Sequence, residues 1–213
     1  MPFTGWPARA LEFYEGLAAD NSKTYWTEHK ATYDRDVYPP MVALLADLAG
    51  EFGPGRIFRP YRDVRFSADK SPYKTHIAAT LESGGYIQLS ATGLGAGLGY
   101  YQMAADQLDR YRRAVADDTG GTDLERIVAA LERTGATANG VDSLRGTPRG
   151  YPKDHPRIAL LRHRGLVAWR DWPVAPWLGT ARARGRVVDF LRAAAPLGAW
   201  LSTHVGDSTL PRR

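Results

Sequence analysis

The sequence contains no cysteine. This absence excludes a disulfide framework, a cysteine-ligated zinc site and a thiol nucleophile, and it favours a reducing compartment. No window of the sequence approaches the roughly 18 apolar residues that a bilayer-spanning helix needs. The N-terminus also has no basic stretch followed by an apolar run. We therefore expect a cytoplasmic protein that is neither exported nor inserted into a membrane.

Histidine is scarce as well. The five histidines are His29, His76, His155, His163 and His204. No two of them stand three or four residues apart, the spacing that places two metal ligands on one helical face. The sequence therefore predicts no metal site, and it identifies no cofactor. The Gly-x-Ser-x-Gly motif of many serine hydrolases is also absent.

Apolar residues are plentiful enough for a large core. The chain has 213 residues, of which 44% are hydrophobic and 11% aromatic. No linker or internal repeat divides it, so we predict a single domain covering residues 1–213. The sequence leaves the oligomeric state open.

Periodicity predicts helices at both ends of the chain and strands between them. Predicted helices cover residues 7–19, 22–38, 40–52, 105–117, 123–134, 154–164 and 180–195, with a last turn or two after Pro196. Predicted strands cover residues 56–66, 74–81, 86–92 and 98–103, with a further strand near 166–170. Short connections favour an antiparallel meander. The expected fold class is α+β, with the helices packed on a mainly antiparallel sheet.

Several boundaries rest on individual residues. Asn21 or Ser22 is expected to cap the second helix, and Pro39-Pro40 to end it. Thr122 and Asp154 are the expected caps of the helices at 123–134 and 154–164. The glycine-rich stretch 93–99 is interpreted as a hairpin between two strands.

Positive charge is concentrated in two segments. The net charge of the whole chain is +5, whereas segment 56–76 alone carries +4 and segment 145–170 carries +6. The remaining residues are therefore net acidic. If the two segments meet in space they form a basic cleft; otherwise they are solvated basic faces.

Segment 56–76 contains most of the candidate site residues. If it were one extended strand, Arg59, Tyr61, Asp63 and Arg65 would share a polar face, while Phe58, Arg62, Val64 and Phe66 would share the other. Guanidinium groups held on a strand suit the capture of phosphate or carboxylate. The alternative is that these charges pair with one another and serve the fold. The predicted ligand-binding residues are Arg59, Arg62, Arg65, Asp69, Lys70, Tyr73 and, from the second basic segment, Arg149.

Two residues of this segment could move a proton. Asp63 stands among arginines, which favour its ionised form, so it suits an orienting role better than that of a general acid. His76 follows the basic motif on the next predicted strand and could act as a general base or acid. Asp63 and His76 are therefore the candidate catalytic residues, although a hydrogen-bonded strand histidine is the simpler interpretation of His76.

The pattern R-x-x-R-D-x-R-F-x-x-D-K-x-x-Y, which begins at Arg59, resembles the signature of domain-of-unknown-function family 2461. The resemblance extends over nearly the whole chain and includes Gly5-Trp6, the stretch 21–26, Pro148-Arg149-Gly150-Tyr151 and His155-Pro156. Ser22 departs from it, since many members carry a second Asn there. The family brings no established activity, so the resemblance implies no reaction.

Three functions remain open from the sequence. The first is a pocket that binds, or acts on, a small anionic ligand. The second is nucleic-acid binding through segments 56–76 and 145–170, which a sequence pI of about 9.5 and interleaved aromatic residues favour. The third is a protein-interaction module built on Trp169, Trp172 and Trp177. Whether the protein is an enzyme is undecided.

Overall fold

The computed structural model of the chain describes residues 2–65, 68–140 and 142–210. The α-helices of this part are α1 (Ala8–Ala19), α2 (Lys23–Thr32), α3 (Tyr38–Phe52), α4 (Ala105–Ala116), α5 (Asp118–Arg133), α6 (Ile158–Leu161) and α7 (Arg182–His204). A π-helix (Tyr33–Val37) joins α2 to α3, and a 3₁₀ helix (Pro176–Gly179) precedes α7.

The strands of the described residues form an antiparallel sheet, which confirms the α+β class. They are β1 (Gly55–Ile57), β2 (His76–Leu81), β3 (Gly85–Ser90), β4 (Gly93–Tyr100), β5 (Thr137–Asn139) and β6 (Leu166–Pro173). Their order in the sheet is β1-β2-β3-β4-β6-β5. β1, β2 and β3 form the predicted meander, and β6 confirms the predicted strand near residues 166–170.

The chain divides into two compact units, which we describe separately. The first comprises the chain up to Ala96 together with Asp171–Phe190, and it contains segment 56–76. Its core includes Phe13, Leu17, Leu44 and Ile87, all at most 2% exposed. The prediction of a single domain is not tested by this division and stays a prediction.

The second unit comprises Gly97–Arg170 and the chain from Leu191 onward. Two buried aromatic residues donate hydrogen bonds that connect its helices. The Tyr111 hydroxyl donates to the Leu160 carbonyl over 3.0 Å, and Trp200 Nε1 donates to the Gly120 carbonyl over 3.0 Å. Each ring thus adds apolar burial while its one polar group is satisfied.

The prolines at residues 39 and 40 do not interrupt the helical path. In a regular α-helix the Pro39 ring would clash with the carbonyl four residues earlier. Instead the chain widens into the π-helix, where the Tyr38 N–H bonds to the Tyr33 carbonyl five residues back. Pro39 and Pro40 then occupy the first turn of α3, where an N–H is not needed. The predicted break between two helices is therefore replaced by a π segment.

The predicted strand over residues 56–66 is wrong at residues 58–65, since β1 ends at Ile57, and Phe66 lies outside the described residues. β1 pairs with β2 through Gly55, Arg56 and Ile57, and the Phe58 N–H still bonds to the Ala78 carbonyl at 2.9 Å. Pro60 has no N–H to continue the ladder. The chain therefore leaves the sheet, and the two-faced alternation inferred for residues 58–65 does not apply.

Other predicted boundaries also move. α5 is capped by Asp117, whose side chain accepts from the Thr119 and Gly120 N–H groups, and not by Thr122. Arg157 and not Asp154 precedes α6. The glycine-rich stretch 93–99 lies inside strand β4 rather than forming a hairpin.

The final helix is longer than predicted. Pro196 lies inside α7 and does not end it. Buried apolar residues stand on both sides of this proline, among them Ala194, Leu197 and Leu201. Their burial offsets the one hydrogen bond that the proline removes.

Candidate functional site

The chain between Tyr61 and Tyr73 follows the short β1 strand, and we name its described residues, 62–65 and 68–72, the basic loop. An antiparallel bridge between Tyr61 and Tyr73 closes its base. Two backbone hydrogen bonds flank this bridge, from Arg62 N to the Pro72 carbonyl at 2.9 Å and from Lys74 N to the Pro60 carbonyl at 2.8 Å. Phe66, which the sequence places on the same strand face as Phe58 and Val64, and Ser67 lie outside the described residues.

The base of the basic loop is held by the N-terminal helices. Asn21 Nδ2 donates to the Tyr73 carbonyl, and Asn21 Oδ1 accepts from the Tyr73 N–H, each over 3.0 Å. Trp26 on α2 stacks on the Tyr73 ring with centroids 4.4 Å apart and planes 8° from parallel. Asn21 therefore serves as a side-chain clamp, while Ser22 caps α2 by accepting from the Tyr25 N–H. These contacts join the 21–26 motif to the basic motif in one structural unit.

The charged groups of the basic loop bond to one another. The Arg62 guanidinium pairs with Asp69. The Arg65 guanidinium pairs with Asp63, with Nε to Oδ1 at 2.9 Å and Nη2 to Oδ2 at 2.6 Å. Lys70 Nζ donates to the Val64 carbonyl at 3.0 Å. Charges that the sequence offered for a ligand are thus engaged within the loop.

These pairs keep both carboxylates ionised. Hydrogen bonds from the Arg65 side chain, and then from its backbone, lower the pKa of Asp63 to about 2. Hydrogen bonds from Arg62, and then from Ser71, hold the pKa of Asp69 well below its usual range. Neither group can donate a proton near neutral pH. Both pairs are exposed, so their contribution to stability is small.

A cavity of about 550 Å³ lies beside β1, and most of its lining residues precede Tyr61 in the sequence. Its lining includes three cationic side chains, those of Arg56, Arg59 and Lys74. The π-helix and the start of α3 contribute Tyr33, Asp34 and Tyr38, and the chain at 57–60 contributes Ile57, Phe58 and Pro60. All these residues belong to the first unit.

The cations of the cavity are less neutralised than those of the loop. In the described part of the chain no carboxylate lies within ion-pair distance of Arg56, Arg59 or Lys74. The one carboxylate in the lining, Asp34, pairs with Lys30 one helical turn earlier. The lining is therefore positively charged.

Lys74 is held in place at the cavity. Its Nζ donates to the Arg59 carbonyl at 2.9 Å and lies 5.2 Å from the centroid of the Phe58 ring. Burial, and then the nearby Arg59 guanidinium, lower the pKa of Lys74. An anion in the cavity would relieve the repulsion between these two cations.

The π-helix supplies a protonated hydroxyl. Tyr33 is buried, and its ring lies 6.2 Å from the Tyr38 ring. Burial, and then Tyr38 and Asp34, raise the pKa of Tyr33 to about 12. Its hydroxyl therefore stays protonated across the physiological range.

The structure separates the sequence-predicted site residues. Arg59 lines the cavity, whereas Arg62, Asp63, Arg65, Asp69 and Lys70 belong to the mutually bonded network of the basic loop. Tyr73 is 4% exposed because Trp26 covers its ring. The binding roles of these residues stay predictions.

His76 begins β2 opposite Ser90 on β3 and is half-buried. Burial, and then Lys74, lower the pKa of His76, so the ring is neutral at pH 7. His76 is not one of the described residues that line the cavity. A neutral imidazole can accept a proton, but its role and that of Asp63 as catalytic groups stay predictions.

Arg149 lies in the second unit, in an exposed irregular segment. The tryptophans offered for protein docking are poorly exposed. Trp172 is buried, and Trp169 and Trp177 are half-buried, the latter beneath the Arg186 guanidinium at 4.5 Å.

Sequence reasoning missed most of the cavity. The sequence places Arg56 and Lys74 in basic segment 56–76 without marking them as binding residues, and it places Tyr33, Asp34 and Tyr38 in a predicted helix. One usable indication was Pro60, which argues against a continuous strand and hence against the two-faced interpretation. The contribution of the π-helix had no sequence pattern to reveal it.

Within residues 2–65, 68–140 and 142–210, no three His, Asp or Glu side chains converge as metal ligands. The same residues include no helix with the length and apolar character needed to cross a bilayer.

Comparison with known proteins gives one informative result. Neither the curated proteins nor the solved structures provide a match. A family model described as conserved hypothetical protein (DUF2461) matches residues 9–200. The matched range contains the Asn21 clamp, the basic loop and every residue of the cavity, while Gly5 and Trp6 precede it. The chain therefore belongs to the DUF2461 family of conserved hypothetical proteins.

Proposed function

We propose that the protein binds a small anionic ligand, bearing a phosphate or a carboxylate, in the cavity against β1. The observation that supports this most directly is the presence of Arg56, Arg59 and Lys74 in one concave lining whose only carboxylate, among the described residues, is paired with Lys30. Three cations that face one space repel each other, and an anion that enters gains their combined attraction.

The size and chemistry of the cavity support a small molecule. Its volume of about 550 Å³ lies within the range of roughly 300–1,000 Å³ that is usual for small-molecule sites. Arginine guanidinium groups bind phosphate and carboxylate in a bidentate manner, and Lys74 adds a point charge. The protonated Tyr33 hydroxyl can donate a hydrogen bond to the same anion. We assign no reaction to the site.

A thermal-shift titration tests the proposal, because a ligand that binds the folded state raises the melting temperature. Inorganic phosphate, methyl phosphate and acetate are titrated against wild type and against an Arg56→Gln/Arg59→Gln variant. We expect at least one anion to stabilise wild type and to lose its effect in this variant. Arg113→Gln/Arg133→Gln is the matched control, since it removes the same charge from exposed positions of the second unit. It should respond as wild type does.

Two further arms separate the alternatives. An Arg62→Gln/Arg65→Gln variant should keep the response, because these guanidinium groups bond to Asp69 and Asp63. A short single-stranded oligonucleotide tests the nucleic-acid alternative, which predicts binding that weakens steeply with salt. If only the oligonucleotide stabilises the protein, or if the Arg56→Gln/Arg59→Gln variant responds fully, the proposal is wrong.

A further inference from the structure

We infer that the ligand of this cavity carries an aromatic ring next to its anionic group. The inference rests on the proposed function and names the class of anion: an aryl or heteroaryl phosphate or carboxylate. It depends on the aromatic side chains that the cavity leaves exposed beside its cations.

Two exposed aromatic side chains line the cavity, and two more exposed apolar residues lie near them in the sequence. Phe58 and Tyr38 line it, and they are 37% and 44% exposed. Val42, also 44% exposed, stands one turn further along α3 than Tyr38, and Tyr61 follows the cavity residue Pro60. Single exposed apolar residues are ordinary, but a cluster at one concavity marks a binding surface.

Phe58 and Tyr38, the exposed rings of the lining, contact other groups of the fold before any ligand arrives. The Phe58 N–H bonds to the Ala78 carbonyl, the Lys74 ammonium lies against the Phe58 ring, and the Tyr86 ring is 6.2 Å away. The Tyr38 ring lies 6.2 Å from the buried Tyr33 ring, centroid to centroid, where the π-helix meets α3. Rings that are already ordered lose little conformational entropy when a ligand stacks on them.

Planar groups enter the lining from two segments of the chain. Besides Phe58 and Tyr38, the lining includes Arg56 and Arg59, and flat guanidinium groups can stack on an aromatic ring. A planar ring can therefore contact side-chain rings and guanidinium planes together, which a flexible alkyl chain cannot do as well. The cavity is also far larger than a phosphate group needs, so space remains for a ring beside the anion.

Isothermal titration calorimetry of three phosphate monoesters tests the inference. Methyl phosphate measures the anionic contribution, butyl phosphate adds apolar area without a ring, and phenyl phosphate adds the ring. We expect phenyl phosphate to bind about two- to tenfold more tightly than butyl phosphate, the range that aromatic stacking provides beyond area burial.

Two single variants locate the effect. Phe58→Leu and Tyr38→Leu keep an apolar side chain but remove a ring, so each should reduce the ratio of phenyl phosphate affinity to butyl phosphate affinity. The methyl phosphate affinity of the same variant measures any separate change at the cations, such as one at Lys74 beside Phe58. Tyr101→Leu is the control, because Tyr101 is an exposed aromatic residue of the second unit. Circular dichroism of each variant checks that it is folded.

The outcomes distinguish this inference from the proposed function. If methyl phosphate binds but phenyl phosphate binds no more tightly than butyl phosphate, the aromatic class is wrong and the anion site stands. If the phenyl advantage survives in both Phe58→Leu and Tyr38→Leu, the ring binds elsewhere and the inference is also wrong. If no phosphate ester binds wild type, and benzoate and acetate do not bind either, both proposals fail.

Discussion

At the scale of the residue, a charge is available to a ligand only when no neighbour already neutralises it. Arg62 and Arg65 looked equivalent to Arg59 in the sequence, but each pairs with a carboxylate of the basic loop. Arg59 instead faces the cavity together with Lys74. The difference arises because Asp69 lies beside Arg62 and Asp63 lies beside Arg65. It changes which arginines we expect to bind a ligand.

The protonation state of Lys74 should control anion binding at alkaline pH. Burial and Arg59 place the pKa of Lys74 below the ordinary 10.5, so the side chain loses its charge earlier than an exposed lysine as the pH rises. We therefore expect the affinity of wild type for methyl phosphate to fall as the pH rises toward 10.5, before an exposed lysine would lose its charge. Tyr33, with a pKa of about 12, stays protonated over this interval.

Calorimetric titrations at several pH values measure this effect, with Lys74→Arg as the matched variant. Arginine keeps its charge throughout the interval, so the variant should lose the decline even if its affinity at pH 7 differs from wild type. An equal decline in both proteins would assign the titration to another group and contradict the prediction.

At the scale of the element, a single asparagine connects α2 to the basic motif. Asn21 satisfies both the N–H and the carbonyl of Tyr73, whose ring is covered by Trp26. The sequence placed Asn21 near a helix start but could not show that its side chain mimics a strand partner. The geometry of Tyr73, and through it the position of Lys74, depends on this clamp.

Asn21→Ala should therefore destabilise the protein more than an ordinary surface substitution. Two hydrogen bonds are lost and the part-buried backbone groups of Tyr73 are left without that partner, which we expect to cost about 1–3 kcal/mol. Urea unfolding followed by circular dichroism measures the change in the free energy of unfolding. Asn139→Ala, at an exposed position of β5, is the control and should change it by less than about 0.5 kcal/mol. A cost for Asn21→Ala no larger than that of the control would show that the clamp is dispensable.

The observed helix and strand boundaries differ from the predicted ones near prolines. Pro39 and Pro40 were expected to break a helix, yet the π-helix carries the chain through them and brings Tyr33 and Tyr38 to one cavity. Pro60, in contrast, has no N–H for the ladder, and β1 ends at Ile57, shortly before it. The charge density of the segment had suggested a polar strand face.

At the scale of the whole molecule, the sequence predicts one domain, and calorimetry can test that prediction. A single domain unfolds in one cooperative transition whose calorimetric enthalpy equals its van't Hoff enthalpy. We expect one such transition for the full chain. Two resolved transitions would show that the two compact units unfold independently.

By itself, the sequence determined the fold class, the meander, the family and the segment that carries the charge. The fold class, the meander and the charged segment follow from hydrophobic periodicity, turn residues and composition, which act over short stretches of chain. The family follows from the resemblance of the charged motif that begins at Arg59. The tertiary structure was needed to show which cations line the cavity and which pair with Asp63 and Asp69. It also shows that the π-helix and α3 bring Tyr33 and Tyr38 to that cavity. The reason is physical: pairing and burial depend on distances between residues far apart in sequence, such as the 52 positions that separate Asn21 from Tyr73.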